Sequence, residues 1–197
     1  MIGAQPYDAF RRAIELDPAH RDARIDLASA LLALEAVVPA EEAARSALAL
    51  DPVSVEAQAN LAGALEGQGR FAEAIAAYDA ALARDPQFVP ALANRAMLRM
   101  NAGEVDGALE DLAQALRIAP EAPGLLVRRG LALMEARRAR EAEDAFRAVL
   151  HDWPEDRGAL AGLAFCRDQQ GDLEGALAAY GSVLAAQPED AQAHVNR

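Results

Sequence analysis

Residues 55–88 read VEAQANLAGALEGQGRFAEAIAAYDAALARDPQF, and the Asp85-Pro86 near their end also occurs as Asp17-Pro18 and Asp51-Pro52. Pro18, Pro52, Pro86, Pro120, Pro154 and Pro188 recur every 34 residues. Ten prolines placed at random do not produce five equal intervals, so the chain is an internal repeat. Within 55–88, Gly69 separates two stretches whose apolar residues follow helical spacing. A glycine just past a helix end supplies a left-handed turn residue, and a proline stops the second helix because it cannot continue the hydrogen-bond ladder. The unit is therefore helix, turn, helix, turn.

Aligned in this register, the chain divides into a leading segment 1–20 that forms the second helix of a partial repeat. Full repeats follow at 21–54, 55–88, 89–122, 123–156 and 157–190, and 191–197 start a truncated one. Small residues fill fixed columns. One holds Ala28, Ala62, Ala96, Gly130 and Ala164, and a second holds Ala40, Ala74, Ala108, Ala142 and Ala176. A third holds Ala47, Ala81, Ala115, Val149 and Val183. Larger groups recur at Tyr78, Leu112, Phe146 and Tyr180, with Ala44 in the first repeat. Small and large residues alternating at helical spacing are what two interlocking helices need. Two repeats depart at the dividing glycine, where Glu35 and Arg137 stand, and turns of different shape are expected there. Arg95, Arg99, Arg129 and Arg167 occupy leucine columns, where their stems can pack while the heads reach solvent or a carboxylate.

The period and the columns resemble the tetratricopeptide repeat family across essentially the whole chain. The resemblance implies an all-α fold, a right-handed superhelical solenoid of antiparallel helix pairs, whose first helices line a concave groove that takes peptides or protein partners. The groove row Asp26, Asn60, Asn94, Arg128, Gly162 and Asn196 resembles the asparagine ladder of O-linked N-acetylglucosamine transferase repeats at Asn60, Asn94 and Asn196. An asparagine amide donates to and accepts from a peptide backbone at once. A second row, Met97, Met100, Leu131, Met134 and Phe165, would form an apolar strip of anchors, with Asn60, Asn94 and Arg128 orienting the backbone. The alternative is that the strip is buried by the chain's own neighbouring helices.

Asp22, Asp26, Glu56, Glu66, Glu135 and Asp168 face the same predicted groove against Arg128 alone. A neutral or basic segment with apolar anchors is the matching partner. The net charge of −12 repels a phosphate backbone, which excludes nucleic acid. No run is long enough for a membrane span, and Met1 to Phe10 carry neither a basic leader nor an apolar export core, so a cytoplasmic location is expected. Cys166 cannot form an internal disulfide and reads as a small packed residue. His20, His151 and His194 show no ligand spacing, so neither a metal nor another cofactor is expected. The expected function is a non-catalytic protein-interaction scaffold. The alternatives are the recognition arm of a larger enzyme, or an array, such as a homo-oligomer, joined through its repeat ends.

Overall fold

The computed structural model describes residues 7–186, and within them the chain is helical, with no strand among the described residues. The helices are α1 (Asp8–Leu16), α2 (Arg21–Ala33), α3 (Val37–Leu50), α4 (Val55–Gly67), α5 (Phe71–Arg84), α6 (Val89–Asn101), α7 (Val105–Ile118), α8 (Pro123–Glu135), α9 (Ala139–Asp152), α10 (Arg157–Gln169) and α11 (Leu173–Ala186). Segment 191–197 and Asn196 lie outside the described residues, as does His194.

The chain divides into two units, Met1–Arg95 and Ala96–Arg197, with the boundary inside α6. In the first, α2 packs on α3, α3 on α4 and α4 on α5, while α2 also touches α4. The second repeats that scheme, with α8 on α9, α9 on α10, α10 on α11, and α8 touching α10. α2 and α8 therefore each meet their own partner and the next first helix. The antiparallel helix-pair repeat expected from the sequence is the observed fold.

The columns explain why the helices approach so closely. Ala28, Ala62, Ala40, Ala74, Ala47 and Ala81 are fully buried in the first unit, as are Ala164, Ala108, Ala142 and Val149 in the second. A methyl group at each crossing lets backbones come together, and Tyr78, Leu112 and Phe146, each at most 1 % exposed, fill what remains. Phe146, Val149, Leu133 and Leu163 form a core cluster in the second unit.

The Asp-Pro phrase has a clear local role. Asp17, Asp51 and Asp85 each accept a bond from the backbone N–H two residues on, at 3.0, 3.2 and 2.8 Å. The intervening proline has no N–H to satisfy and cannot extend the preceding helix. Three residues past the aspartate stand the helix N-caps: Ser54 and, at the same register, His20, each accepting the backbone N–H three residues later. Asp156 does the same for α10.

The turns at Glu35 and Arg137 are a correction to the sequence reading. Both residues adopt the left-handed conformation, φ 57° and 59°, beside Gly69, Gly103 and Gly171 at 74°, 81° and 78°. All five turns close with the same pair of backbone bonds, such as Gly69 N–H to Glu66 O and Arg70 N–H to Leu65 O, matched by Arg137 N–H to Met134 O and Arg138 N–H to Leu133 O. The repeat geometry imposes the turn whether or not glycine is present, because the two helices on either side are fixed by their packing.

Candidate functional site

The residues of the anticipated apolar strip differ in exposure. Met97 and Met100 on α6 and Leu131 and Met134 on α8 are half-buried, and Leu131 and Met134 lean on the core cluster around Phe146. Phe165 on α10 is 42 % exposed. The strip is thus neither sealed by the protein's own helices nor fully open. Helical spacing explains the arrangement: 131 and 134 lie on one face of α8, and Phe165 is one repeat beyond Leu131.

Two of these residues border a cleft of about 440 Å³ in the second unit, lined by Met134, Glu135, Arg137, Ala139, Phe165, Cys166 and Gln169. Met134 and Glu135 end α8, Arg137 is the left-handed turn residue, Ala139 starts α9, and the rest come from α10. Its lining mixes the apolar Met134, Ala139 and Phe165 with the polar Glu135, Arg137 and Gln169. Cys166 is 1 % exposed, and burial, with the nearby Glu143 carboxylate, pushes its thiol up to about 11. It is a packed wall residue, not a reactive one. Arg137 and Ala139 were not singled out as site residues from the sequence. The signal was nonetheless there, since Arg137 replaces the dividing glycine, and Ala139 stands where Val37, Phe71, Val105 and Leu173 stand in the other repeats.

Among the polar row, Asn60 is committed to its own protein. Its amide nitrogen donates to Ile25 O at 3.1 Å and Ser29 Oγ at 2.9 Å, tying α4 to α2. Asn94 on α6 and Arg128 on α8 are half-buried and have interactions within the chain. Gly162 interrupts the row because the Phe146 ring occupies the space its side chain would need.

Three of the predicted groove acids meet in the first unit. Asp22, Asp26 and Glu56 border a cleft of about 380 Å³ with Asp51, Arg21 and Ile25. Arg21 is drawn onto Asp22 and Asp51 at 2.8 and 2.9 Å, which raises its pKa. The cleft still carries more carboxylates than it has cations.

Of the arginines in leucine columns, Arg95, Arg99 and Arg167 reach acids. Arg95 meets Asp79 at 2.6 Å and Arg99 meets the buried Asp111 at 2.9 Å. Arg167 approaches Glu143 at 3.5 Å and donates to Gly175 O, the bond that Arg99 makes to Gly107 O. Glu41 repeats the Glu143 environment three repeats earlier: Arg45 and Gln68 hold it as Arg147 and Gln170 hold Glu143. Bonds from Gln68, Arg45 and Arg70 lower Glu41 to about 2. Glu41 is only 14 % exposed, so a screened surface pair is not the right picture.

Among the described residues, no three His, Cys, Asp or Glu side chains gather as metal ligands would, and no helix is long and apolar enough to cross a membrane. His151 is exposed beside Asp152 at 2.8 Å.

Family profiles described as tetratricopeptide repeat match residues 8–55, 39–87, 60–123, 93–156 and 133–195. No curated protein matches the chain. The chain is similar in structure to PilW, described as a widely conserved type IV pilus biogenesis factor, with TM-score 0.86 and 23 % identity over 95 % of this chain and 87 % of that one. It is also similar to pilF of Pseudomonas aeruginosa, with TM-score 0.81 and 22 % identity over 91 % and 82 % of the two chains. A third similar structure is YrrB, described as a TPR protein with an unusual peptide-binding site, with TM-score 0.76 and 20 % identity over 96 % and 97 %.

Proposed function

The chain belongs to the tetratricopeptide repeat family, and from that premise we propose that it is a non-catalytic, cytoplasmic scaffold that holds a peptide or protein segment along its first helices. The observation that carries this reading is Phe165, a large aromatic left 42 % exposed at the edge of a cleft it shares with Met134. Apolar side chains that pack no further against their own protein are what a partner's apolar groups would cover. Met97, Met100, Leu131, Met134 and Phe165 serve as anchors, and Asn94 and Arg128 orient the bound segment. Asn60 contributes by fixing α4 against α2, leaving its amide oxygen as the atom for a ligand N–H. The segment is neutral or basic, to suit a chain of net charge −12.

The experiment is selection of binding peptides from a displayed random library against the purified chain, followed by affinity measurement on Met100→Glu combined with Met134→Glu. The expected result is a family of peptides rich in apolar residues and poor in acids, whose affinity falls at least tenfold in the double variant while helicity is retained. Unchanged affinity in a folded double variant sinks the reading, as does selection of acidic peptides.

A further inference from the structure

We infer that Glu41 and Glu143 help to fix the order in which the repeats stack: each is matched to a first helix whose C-cap residue is glutamine, whereas the other second helices are matched to an apolar residue at that register. The inference stands apart from the scaffold reading, because it concerns how similar repeats choose their neighbours.

The packing columns do not tell one repeat from another. Ala28, Ala62, Ala96 and Ala164 share one register and Ala40, Ala74, Ala108 and Ala142 another, and all are fully buried. A second helix therefore meets much the same surface on any first helix. Arrays of interchangeable units are prone to stack out of order or to exchange units between molecules.

Two registers do differ, and they differ together. Gln68, the C-cap of α4, donates to Glu41 on α3 at 2.7 Å, and Gln170, the C-cap of α10, donates to Glu143 on α9 at 3.1 Å. Each carboxylate is also held by an arginine four residues on in its own helix, Arg45 at 2.7 Å and Arg147 at 2.8 Å. Arg70 at 2.9 Å and Arg167 at 3.5 Å come to them from the following repeat. Reading the same two registers along the rest of the chain pairs Tyr7 with Leu34, Ile75 with Ala102 and Leu109 with Ala136. Glutamine thus stands only where glutamate precedes it, and the arginine four residues on is replaced by Asp79 and Ala113 after Ile75 and Leu109.

Mismatch strands a polar group. The side chains of Glu41 and Glu143 are 14 % and 11 % exposed, so a lost donor is not simply replaced by bulk water. A stack slipped by one or two repeats would set Glu41 against Ala102 or Ala136, leaving it Arg45 from its own helix and neither Gln68 nor Arg70. An apolar pair has no polar group to strand and accepts any apolar neighbour. Polar groups matched at two interfaces therefore penalise the wrong stackings that the alanine columns tolerate.

The test begins with urea unfolding of the full chain carrying Glu41→Leu, Gln68→Ala or both. Each single substitution is expected to lower the folding equilibrium constant at least threefold, and the double variant to recover to within about twofold of the parent, since it takes the Leu109 and Ala136 form found where α7 packs on α8. The second measurement reads stacking order. Glu41→Leu, Gln68→Ala, Glu143→Leu and Gln170→Ala are combined, and the protein is refolded from urea at high concentration and passed over a size-exclusion column. A dimer fraction at least threefold above that of the parent treated in the same way is expected, as units exchange between molecules. A double variant no more stable than the weaker single variant overturns the inference. So does a fourfold variant that refolds with no more dimer than the parent, because the carboxylates then serve stability alone. Should Glu41→Leu not fold, the comparison of Gln68→Ala with the double variant decides the first arm in the same sense.

Discussion

Phe146 lies directly against Gly162: a β-carbon built on that glycine would sit 2.3 Å from the ring Cζ. On the other side, a β-carbon on Gly130 would meet the same ring at 2.5 Å. The ring is fully buried between two first helices, and each gives it room by having no side chain. This relationship explains the break in the polar row at Gly162 without any reference to a ligand.

Gly162→Asn, which would complete the row of asparagines, is therefore expected to destabilise the second unit by about 1–3 kcal/mol through overpacking. Combining it with Phe146→Leu, the residue Leu112 places at this register, should recover part of that loss. Urea unfolding of the two single variants and the double variant checks this, and additive losses would show that the ring and the glycine are not coupled.

Glu35 and Arg137 bear a conformational cost that glycine would not. A left-handed β-carbon costs about 1–2 kcal/mol, while glycine adds about 0.4–1 kcal/mol of unfolded-chain entropy. Glu35→Gly and Arg137→Gly are each expected to stabilise by about 0.5–1 kcal/mol on balance. Gly69→Ala should destabilise by about 1 kcal/mol, since nothing lies within 4 Å of its new methyl and only the backbone resists. Denaturation midpoints decide it. A fall in stability on Glu35→Gly would mean that the side chain makes contacts outweighing the strain.

Asn60→Ala removes both bonds that join α4 to α2, at an expected cost of about 1–2 kcal/mol. Amide hydrogen exchange in α2 and α4 should accelerate together. A variant as stable as the parent would return Asn60 to the surface of the groove as a residue with no structural duty.

Glu41 sets a pH dependence of known sign. Its folded pKa is depressed from 4.5 to about 2, first by Gln68 and then by Arg45 and Arg70. The stability it contributes is therefore present in full above pH 4.5 and is lost as pH falls toward 2. Glu41→Gln should be less stable than the parent at neutral pH and approach it as the solution is acidified through that window. Parallel pH profiles for the two proteins would dismiss the assignment. Glu141, lowered by Arg138, is the same in both proteins, whereas Glu73, lowered by Arg70, loses the opposing influence of the Glu41 charge in Glu41→Gln.

The 34-residue proline period, the alanine columns and the dividing glycines made the helix-pair fold legible in the sequence, because each is a local requirement of close packing or of a turn. Groove-facing residues were legible only as a helical face. Spacing places Met134 and Phe165 on that face, but it does not say that Leu131 and Met134 lean inward on Phe146.

Sequence alone determined which backbone positions must be small, where helices must stop, and the sign of the surface charge, since these follow from sterics, hydrogen bonding and composition. Tertiary structure decided what depends on the neighbour across a helix contact. Packing forces Glu35 and Arg137 into a glycine conformation, turns Asn60 inward to Ile25, and gives the Gly162 space to Phe146. A residue's register fixes the direction it points, but only the side chains that arrive from the next repeat fix whether the place it points to is occupied.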